Sequence, residues 1–402
     1  MRSSPFRLLL VAALVLFVGL GAWWNVTLHS EQQFSFLARS FIHGELAFTE
    51  SPGSWADTSL YEGRHYWPLG PLPALILTPF VGIADAFGGF FYQGYLQPLL
   101  VLMVLALVWR IARREGYGRE DAAWLAFGFT FATAFLGVAM WPWGWYFAQV
   151  VTTALLFTAI AETTGQRRSW IIGTLFALTL ATRATAAIGI LWPIGETLLS
   201  KSAWRVRLVA LVGLAVPCLL VLCALLLYND ARFGNPFEQG YAFQLIPAHA
   251  VAARSYGIMS PVHVPGNLYY LLVSGPLPVL RDQTSNVLAP PFVALNPWGM
   301  SLFVTSPCFL WLVGLRLKDA TTRVILVTIA AIAVPIVFYY GVGFRQFGYR
   351  YSLDFLPFLY LLLMRHRRLQ GELGAGFKAL LLGSASFNLY LFAGHFLPLG
   401  RS

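Results

Sequence analysis

The chain has 402 residues, 58% of them hydrophobic and only 11% charged, with a mean hydropathy of +0.66. That balance excludes a soluble globular domain, because so few charged side chains cannot cover a folded body of this size, and it implies a polytopic membrane protein solvated by lipid. The net charge of +10 does not call for nucleic acid, since basic residues of membrane proteins gather on the cytoplasmic side, and Cys218, Cys223 and Cys308 sit in apolar runs without ligand spacing.

Residues 1–24 read as an anchor, with Arg2 and Arg7 at its start, Trp23-Trp24 at its end, and no small-residue cleavage pattern after it. This predicts an uncleaved helix with its N-terminus inside and puts the first loop, residues 25–73, outside. In that loop Phe34, Leu37, Ala38 and Phe41 recur at i, i+3, i+4 and i+7, which predicts a helix over residues 31–42 lying flat on the membrane surface. Residues 66–83 are apolar but carry Pro68, Pro71, Pro73 and Pro79, so a broken, re-entrant or interfacial piece is expected there. A full crossing would instead leave Arg110, Arg113, Arg114 and Arg119, which close the next helix (95–112), on the outer side.

Further helices are expected at 122–140, 147–161, 170–190 (out and back around Arg183), 191–199, 208–227, 298–315, 324–340, 353–364 and 377–392. Residues 228–297 then form a long outer region with an interfacial piece at 267–280, interrupted by Gly275, Pro276 and Pro278. The predicted fold class is all-α: one integral membrane domain, 1–402, a polytopic helix bundle of roughly eleven crossings. Most lysines and arginines fall on its inner side, which accounts for the basic charge without a nucleic-acid partner.

The outer side holds Glu31, Glu45, Glu50, Asp57, Glu62, Asp230, Glu238, Asp282 and Asp354, about half of the 17 carboxylates. Arg39, Arg64, Arg232, Arg254, Arg281, Arg345 and Arg350 lie there too, among tyrosines and tryptophans. A transporter keeps its polar groups near the bilayer midplane and its loops short. Polar chemistry gathered at one face favours an enzyme working at that surface.

Three stretches carry a resemblance. Tyr61-Glu-Gly63-Arg64-His-Tyr66-Trp-Pro-Leu-Gly70-Pro71-Leu-Pro73 resembles the end of the first outer loop in bacterial membrane glycosyltransferases of the C-type fold. Asn229-Asp-Ala-Arg232-Phe233-Gly234-Asn235-Pro236 and Gln346-Phe347-Gly348-Tyr349-Arg350-Tyr351-Ser-Leu-Asp354 are similar to two further stretches of that group, and Thr182-Arg183 to its helix-borne arginine. Relatives of the group include protein mannosyltransferases and lipid A aminoarabinose transferases. The resemblance implies transfer of a sugar from a polyprenyl-phosphate carrier to an envelope glycan, lipid or protein acceptor, at the outer face of the cytoplasmic (inner) membrane.

In that chemistry a carboxylate accepts the proton of the acceptor hydroxyl while cations neutralise the departing phosphate. The group's usual catalytic carboxylate lies early in the first loop, often as an Asp-Glu pair; here Ser30-Glu31 stands in its place, so Glu31 is the first catalytic candidate and Asp57 the second. Arg64, Tyr66, Arg183, Arg345, Tyr349, Arg350 and Asp354 are the substrate-binding candidates.

Each has a plainer reading. Glu31 can favour the start of the following helix through its dipole, and Asp57 can form a turn or pair with Arg64. Arg183 can bind the carrier phosphate or sit in a structural ion pair; Arg345 and Arg350 can hold phosphate, or Arg350 can brace its loop by pairing with Asp354. Trp141, Trp143, Trp145 and Tyr146 fit an interfacial belt better than a sugar platform. The histidines show no close ligand spacing, so no metal site is assigned, and a divalent ion at the phosphate is left open. Two other functions stay open: a transporter or flippase of lipid-linked sugars, with Arg183 and Glu196 as its mid-helix charges, and a non-catalytic envelope-assembly protein of the same fold.

Overall fold

The protein is described here by a computed structural model covering residues 5–282 and 284–396. It is mostly helical, with two small antiparallel hairpins. The first helix, α1 (Pro5–Thr27), leads into the first loop. There α2 (Gln33–Ile42) is followed by the hairpin β1 (Ser59–Tyr61) and β2 (Arg64–Tyr66), and then by α3 (Leu72–Ala86). The hairpin turns on Glu62 and Gly63, both at positive φ (48° and 74°), the backbone hand that matches strand twist.

Helix α2 forms where its periodicity places it, but its surroundings differ from expectation. Phe34, Leu37 and Ala38 are fully buried with Trp67, Leu77 and Phe147, so the stripe expected to face lipid faces protein. The proline-rich stretch 66–83 divides into the end of β2, an extended run, and α3, which begins once Pro71 and Pro73 occupy positions where a missing N–H costs nothing.

Next come α4 (Gln93–Arg114), α5 (Arg119–Phe131), α6 (Phe135–Met140) and α7 (Gly144–Thr163). The single helix expected over 122–140 is broken between α5 and α6. The Thr133 hydroxyl donates back to Phe129 O at 2.6 Å and accepts from Phe135 N at 3.1 Å, closing one helix and opening the next. The chain continues through α8 (Ser169–Leu180), α9 (Ala184–Ala187) and α10 (Leu191–Leu199), with a break at 181–183. Leu72 N donates to Ala181 O at 3.1 Å, so that carbonyl is satisfied from the first loop rather than by its own helix. A 30-residue helix, α11 (Trp204–Phe233), follows and ends at Gly234 (φ 63°).

The outer region contains α12 (Ala248–Arg254), α13 (Val264–Leu272) and the second hairpin, β3 (Leu277–Leu280) with β4 (Leu288–Ala294). The helix expected over 298–315 is replaced by the single turn α14 (Leu302–Thr305) and a 3-10 turn at Pro307–Leu312. Pro307 supplies no N–H for a continuing helix, and the Thr305 carbonyl is instead taken by Asn388 Nδ2 at 2.8 Å. The chain closes with α15 (Ala320–Phe338), α16 (Leu356–Arg368) and α17 (Ala375–Phe396).

Six of the described helices, α1, α4, α7, α11, α15 and α17, are long and apolar enough to cross a bilayer, the make-up of a multi-pass membrane protein. Shorter or interrupted apolar helices supply the remaining layers, where roughly eleven crossings were expected from hydropathy alone. Helix α7 is the hub: 83% of its apolar window is covered by the rest of the chain, against 6% for α11, which leaves α11 as the outermost wall.

Candidate active site

A cavity of about 1630 Å³ opens where the N-terminal end of α7 meets the first loop, the end of α11 and the loop before α16. Glu31, Asp57, Arg183, Arg345 and Arg350 all line it.

Glu31 is held by a polar network built into apolar helices. Gln93 and Gln97, one turn apart on α4, are fully buried with Asn25, Gln32 and Gln33. Gln97 Nε2 reaches Asn25 Oδ1 (2.7 Å), Val138 O (2.8 Å) and Trp141 O (3.0 Å), while Gln93 Oε1 accepts from Phe34 N (3.0 Å). Gly144 N donates to Glu31 O at 3.0 Å. The end of α1, the start of α2, α4 and the start of α7 are thereby fixed to one another, and Glu31 sits at their junction with φ 55°. Gln93 and Gln97 at i, i+4 in an otherwise apolar helix were the sequence signal for this network, and sequence reasoning passed over it.

Asp57 (φ 63°) is held differently. Its N–H donates to Leu245 O at 2.8 Å and its carbonyl accepts from Gln244 Nε2 at 3.2 Å, which pins the first loop to the outer region. Trp145 Nε1 donates to Asp57 Oδ2 at 3.2 Å. Burial raises the Glu31 carboxyl above its ordinary range, with the Asp57 charge adding to the rise and Arg345 offsetting part of it. Burial also raises Asp57, against the pull of Arg350, the Trp145 hydrogen bond and His249. Two carboxylates whose burial favours the protonated form, each facing an arginine across a shared cavity, are suited to proton transfer.

The arginines are not equivalent. Arg183 makes a two-point ion pair with Asp354, Nε to Oδ1 at 2.7 Å and Nη2 to Oδ2 at 3.0 Å, and the Thr185 hydroxyl donates to the same carboxylate. Its charge is neutralised. Arg350 is 7% exposed and caged by the rings of Tyr351 (4.8 Å), Trp145 (5.8 Å) and Tyr146 (6.0 Å). Its Nε and Nη1 have no hydrogen-bond partner, and among the described residues no carboxylate lies within ion-pair distance of it. A buried guanidinium of this kind is the natural seat of an anion. The loop that carries it is clamped by α7, since Tyr146 OH donates to Arg345 O at 2.5 Å and Gln149 Nε2 to Arg350 O at 3.0 Å.

No protein-family model and no curated protein matches the sequence. Two solved structures are similar in shape. One is the oligosaccharyltransferase of Archaeoglobus fulgidus in the apo form, at TM-score 0.48 and 12% identity over 96% of this chain and 55% of that one. The other is the archaeal oligosaccharyltransferase AglB from Archaeoglobus fulgidus in complex with an inhibitory peptide and a dolichol-phosphate, at TM-score 0.45 and 12% identity over 97% of this chain and 56% of that one. The chain thus spans about half the length of each. At this level the likeness transfers neither activity nor residue roles.

Four other candidates lie off the cavity. Arg64 pairs with Glu45 on the exposed hairpin, rather than with Asp57. Tyr66 is buried against Phe233 (5.2 Å). Tyr349 is fully buried and donates to Asn267 Oδ1 at 2.7 Å, bracing the loop against α13. Asp354 is fully buried and answers Arg183, not Arg350. In turn, Trp143, Trp145 and Tyr146, read from sequence as an interfacial belt, line the cavity, as does His249. Among the described residues no three His, Cys, Asp or Glu side chains converge.

Proposed function

We propose that the protein is a membrane glycosyltransferase that moves a sugar from a polyprenyl-phosphate carrier to an envelope acceptor, with inversion, at the outer face of the cytoplasmic membrane. One observation carries this reading: Glu31 and Asp57 share a single cavity with the unpaired Arg350 and with Arg345. The acceptor hydroxyl attacks the anomeric carbon from the side opposite the phosphate. Its proton passes to Glu31, the carbon–oxygen bond to the phosphate breaks, and the electron pair leaves with the phosphate toward Arg350 and Arg345. Asp57, held by Trp145, orients the incoming hydroxyl and shares the proton with Glu31. Trp143 and Trp145 offer flat faces to the sugar ring.

The test is transfer by purified protein from a panel of radiolabelled undecaprenyl-phosphate sugars. Wild type should transfer from at least one of them. Glu31→Gln or Asp57→Asn should lower turnover by about 10²–10⁴-fold while leaving carrier binding intact. Solute flux without transfer would replace the enzyme by a transporter.

A further inference from the structure

A second buried guanidinium lines the same cavity on another wall, and the transfer chemistry does not use it. Arg232, in the last turn of α11, is 4% exposed. Its Nη1 donates to Trp67 O at 2.8 Å and Nη2 to Asn229 Oδ1 at 2.7 Å, and it lies over the rings of Tyr228 (4.0 Å) and Phe233 (4.7 Å). Its Nε has no hydrogen-bond partner, and among the described residues no carboxylate stands within ion-pair distance. Carbonyl oxygens and aromatic faces compensate a lodged cation only in part; an anion completes the balance.

Before Tyr228 and Asn229 the α11 wall is apolar. Leu222, Leu225 and Leu226 line the cavity on the same helix, two to three turns before Arg232. At 1.5 Å per residue Leu222 lies about 15 Å along the α11 axis from Arg232. Among the six membrane-length helices α11 is the least covered by the rest of the chain, which leaves its outer face to lipid. Arg350 has a different set of ring neighbours, Trp145, Tyr146 and Tyr351. A leucine row capped by aromatic rings and an unpaired guanidinium is the chemical complement of a long-chain lipid with a phosphate headgroup.

We infer that the α11 wall is a second lipid-phosphate site, with the chain along Leu222, Leu225 and Leu226 and the phosphate at Arg232. The lipid it holds is a co-substrate only if the proposed transfer reaction holds; the binding itself does not depend on it. The protein therefore takes two lipid phosphates at once, one at Arg350 and one at Arg232.

Native mass spectrometry tests this on the full chain in phosphatidylcholine nanodiscs, with undecaprenyl phosphate, phosphatidylglycerol or inorganic phosphate added. Wild type is expected to retain two lipid phosphates, and Arg232→Gln and Arg350→Gln one each, the lost site binding about tenfold more weakly. Leu225→Glu, at a half-buried position of the leucine row, should lose the same site as Arg232→Gln, and it carries the test if Arg232→Gln does not fold. Preference of the Arg232 site for the polyprenyl chain identifies a substrate lipid, and preference for phosphatidylglycerol a resident membrane lipid of the same chemistry. Retention of two lipids by Arg232→Gln or Leu225→Glu overturns the inference, as does equal binding of inorganic phosphate. Two bound lipids in a protein that transfers no sugar would instead overturn the transferase and leave this site standing.

Discussion

Asp354→Asn is the sharpest test of how the charges in the cavity are partitioned. The side chains of Arg183 and Asp354 are 8% and 1% exposed, and three donors converge on the carboxylate: Arg183 Nε at 2.7 Å, Arg183 Nη2 at 3.0 Å, and the Thr185 hydroxyl. Asparagine keeps one acceptor oxygen and removes the charge, so the guanidinium is left buried and uncompensated. Breaking a buried pair in this way costs about 3–5 kcal/mol, most of it the desolvation of the surviving charge. The double variant Arg183→Met with Asp354→Asn removes that charge and should recover a large part of the loss. Thermal unfolding of the four proteins in one detergent closes a double-mutant cycle, and the coupling should stand well above the ~0.5 kcal/mol of independent sites. If Asp354→Asn alone lowers stability by less than about 1 kcal/mol, Arg183 is not held by Asp354. It would then turn freely into the cavity, and the assignment of Arg350 as the unpaired cation would fail with it.

Three further outcomes follow from the same geometry. The acid limb of the pH–rate profile should lie above the ordinary carboxylate range, because burial raises both Glu31 and Asp57; a limb at the value of an exposed carboxylate would exclude both as the base. A carboxyl raised on folding binds its proton more tightly in the folded state, so its effect on stability is a loss as pH rises from the unfolded to the folded pKa. Asp57→Asn should therefore be more heat-stable than wild type at neutral pH while losing activity, and differential scanning over a pH series will register a difference that grows as pH rises through and beyond the ordinary carboxylate range. Gly70→Ala should destabilise by about 1–3 kcal/mol. A Cβ there would lie 2.1 Å from Ala181 O, so the substitution pushes the 181–183 break and Arg183 apart from the first loop.

Hydropathy made the membrane class legible, along with the long helices: α1, α4, α7, α11, α15 and α17 each overlap an apolar run read directly from the sequence. It failed where the backbone is satisfied from elsewhere in the chain. The breaks at Thr133 and Ala181 and the loss of a helix over 298–315 depend on Thr133's own hydroxyl, on Leu72 N and on Asn388, and the last two donors lie far away in sequence. The stripe on α2 was legible as a stripe, but periodicity cannot tell a protein neighbour from lipid. Among the candidate residues, Glu31, Asp57, Arg345 and Arg350 stood out by type and position. What decides between them is who pairs with whom, and that is a property of the folded state: Asp354 has two arginines within reach in sequence terms, and it takes Arg183.

The backbone itself marks the cavity. Seven described residues other than glycine have positive φ, and Glu31, Asp57 and Arg345 are three of them. Glu62 and Asn286 occupy hairpin turns, where that hand is ordinary; the cavity residues have no such excuse. Each left-handed non-glycine residue costs roughly 1–3 kcal/mol and persists only where its surroundings over-determine it. Here the restraints are visible: Gly144 N on the Glu31 carbonyl, the Leu245 and Gln244 bonds to Asp57, and the Tyr146 hydroxyl on the Arg345 carbonyl. Two of these three clamps come from α7, the most enclosed of the membrane-length helices, so the strain is borne by the part of the bundle least able to relax. A carboxylate and a guanidinium on strained backbone clamped by the hub helix, with a second carboxylate pinned by the outer region, cannot drift apart as the cavity fills. Such fixed placement is what makes electrostatic stabilisation of a departing phosphate effective, because the groups need no reorganisation when the charge develops.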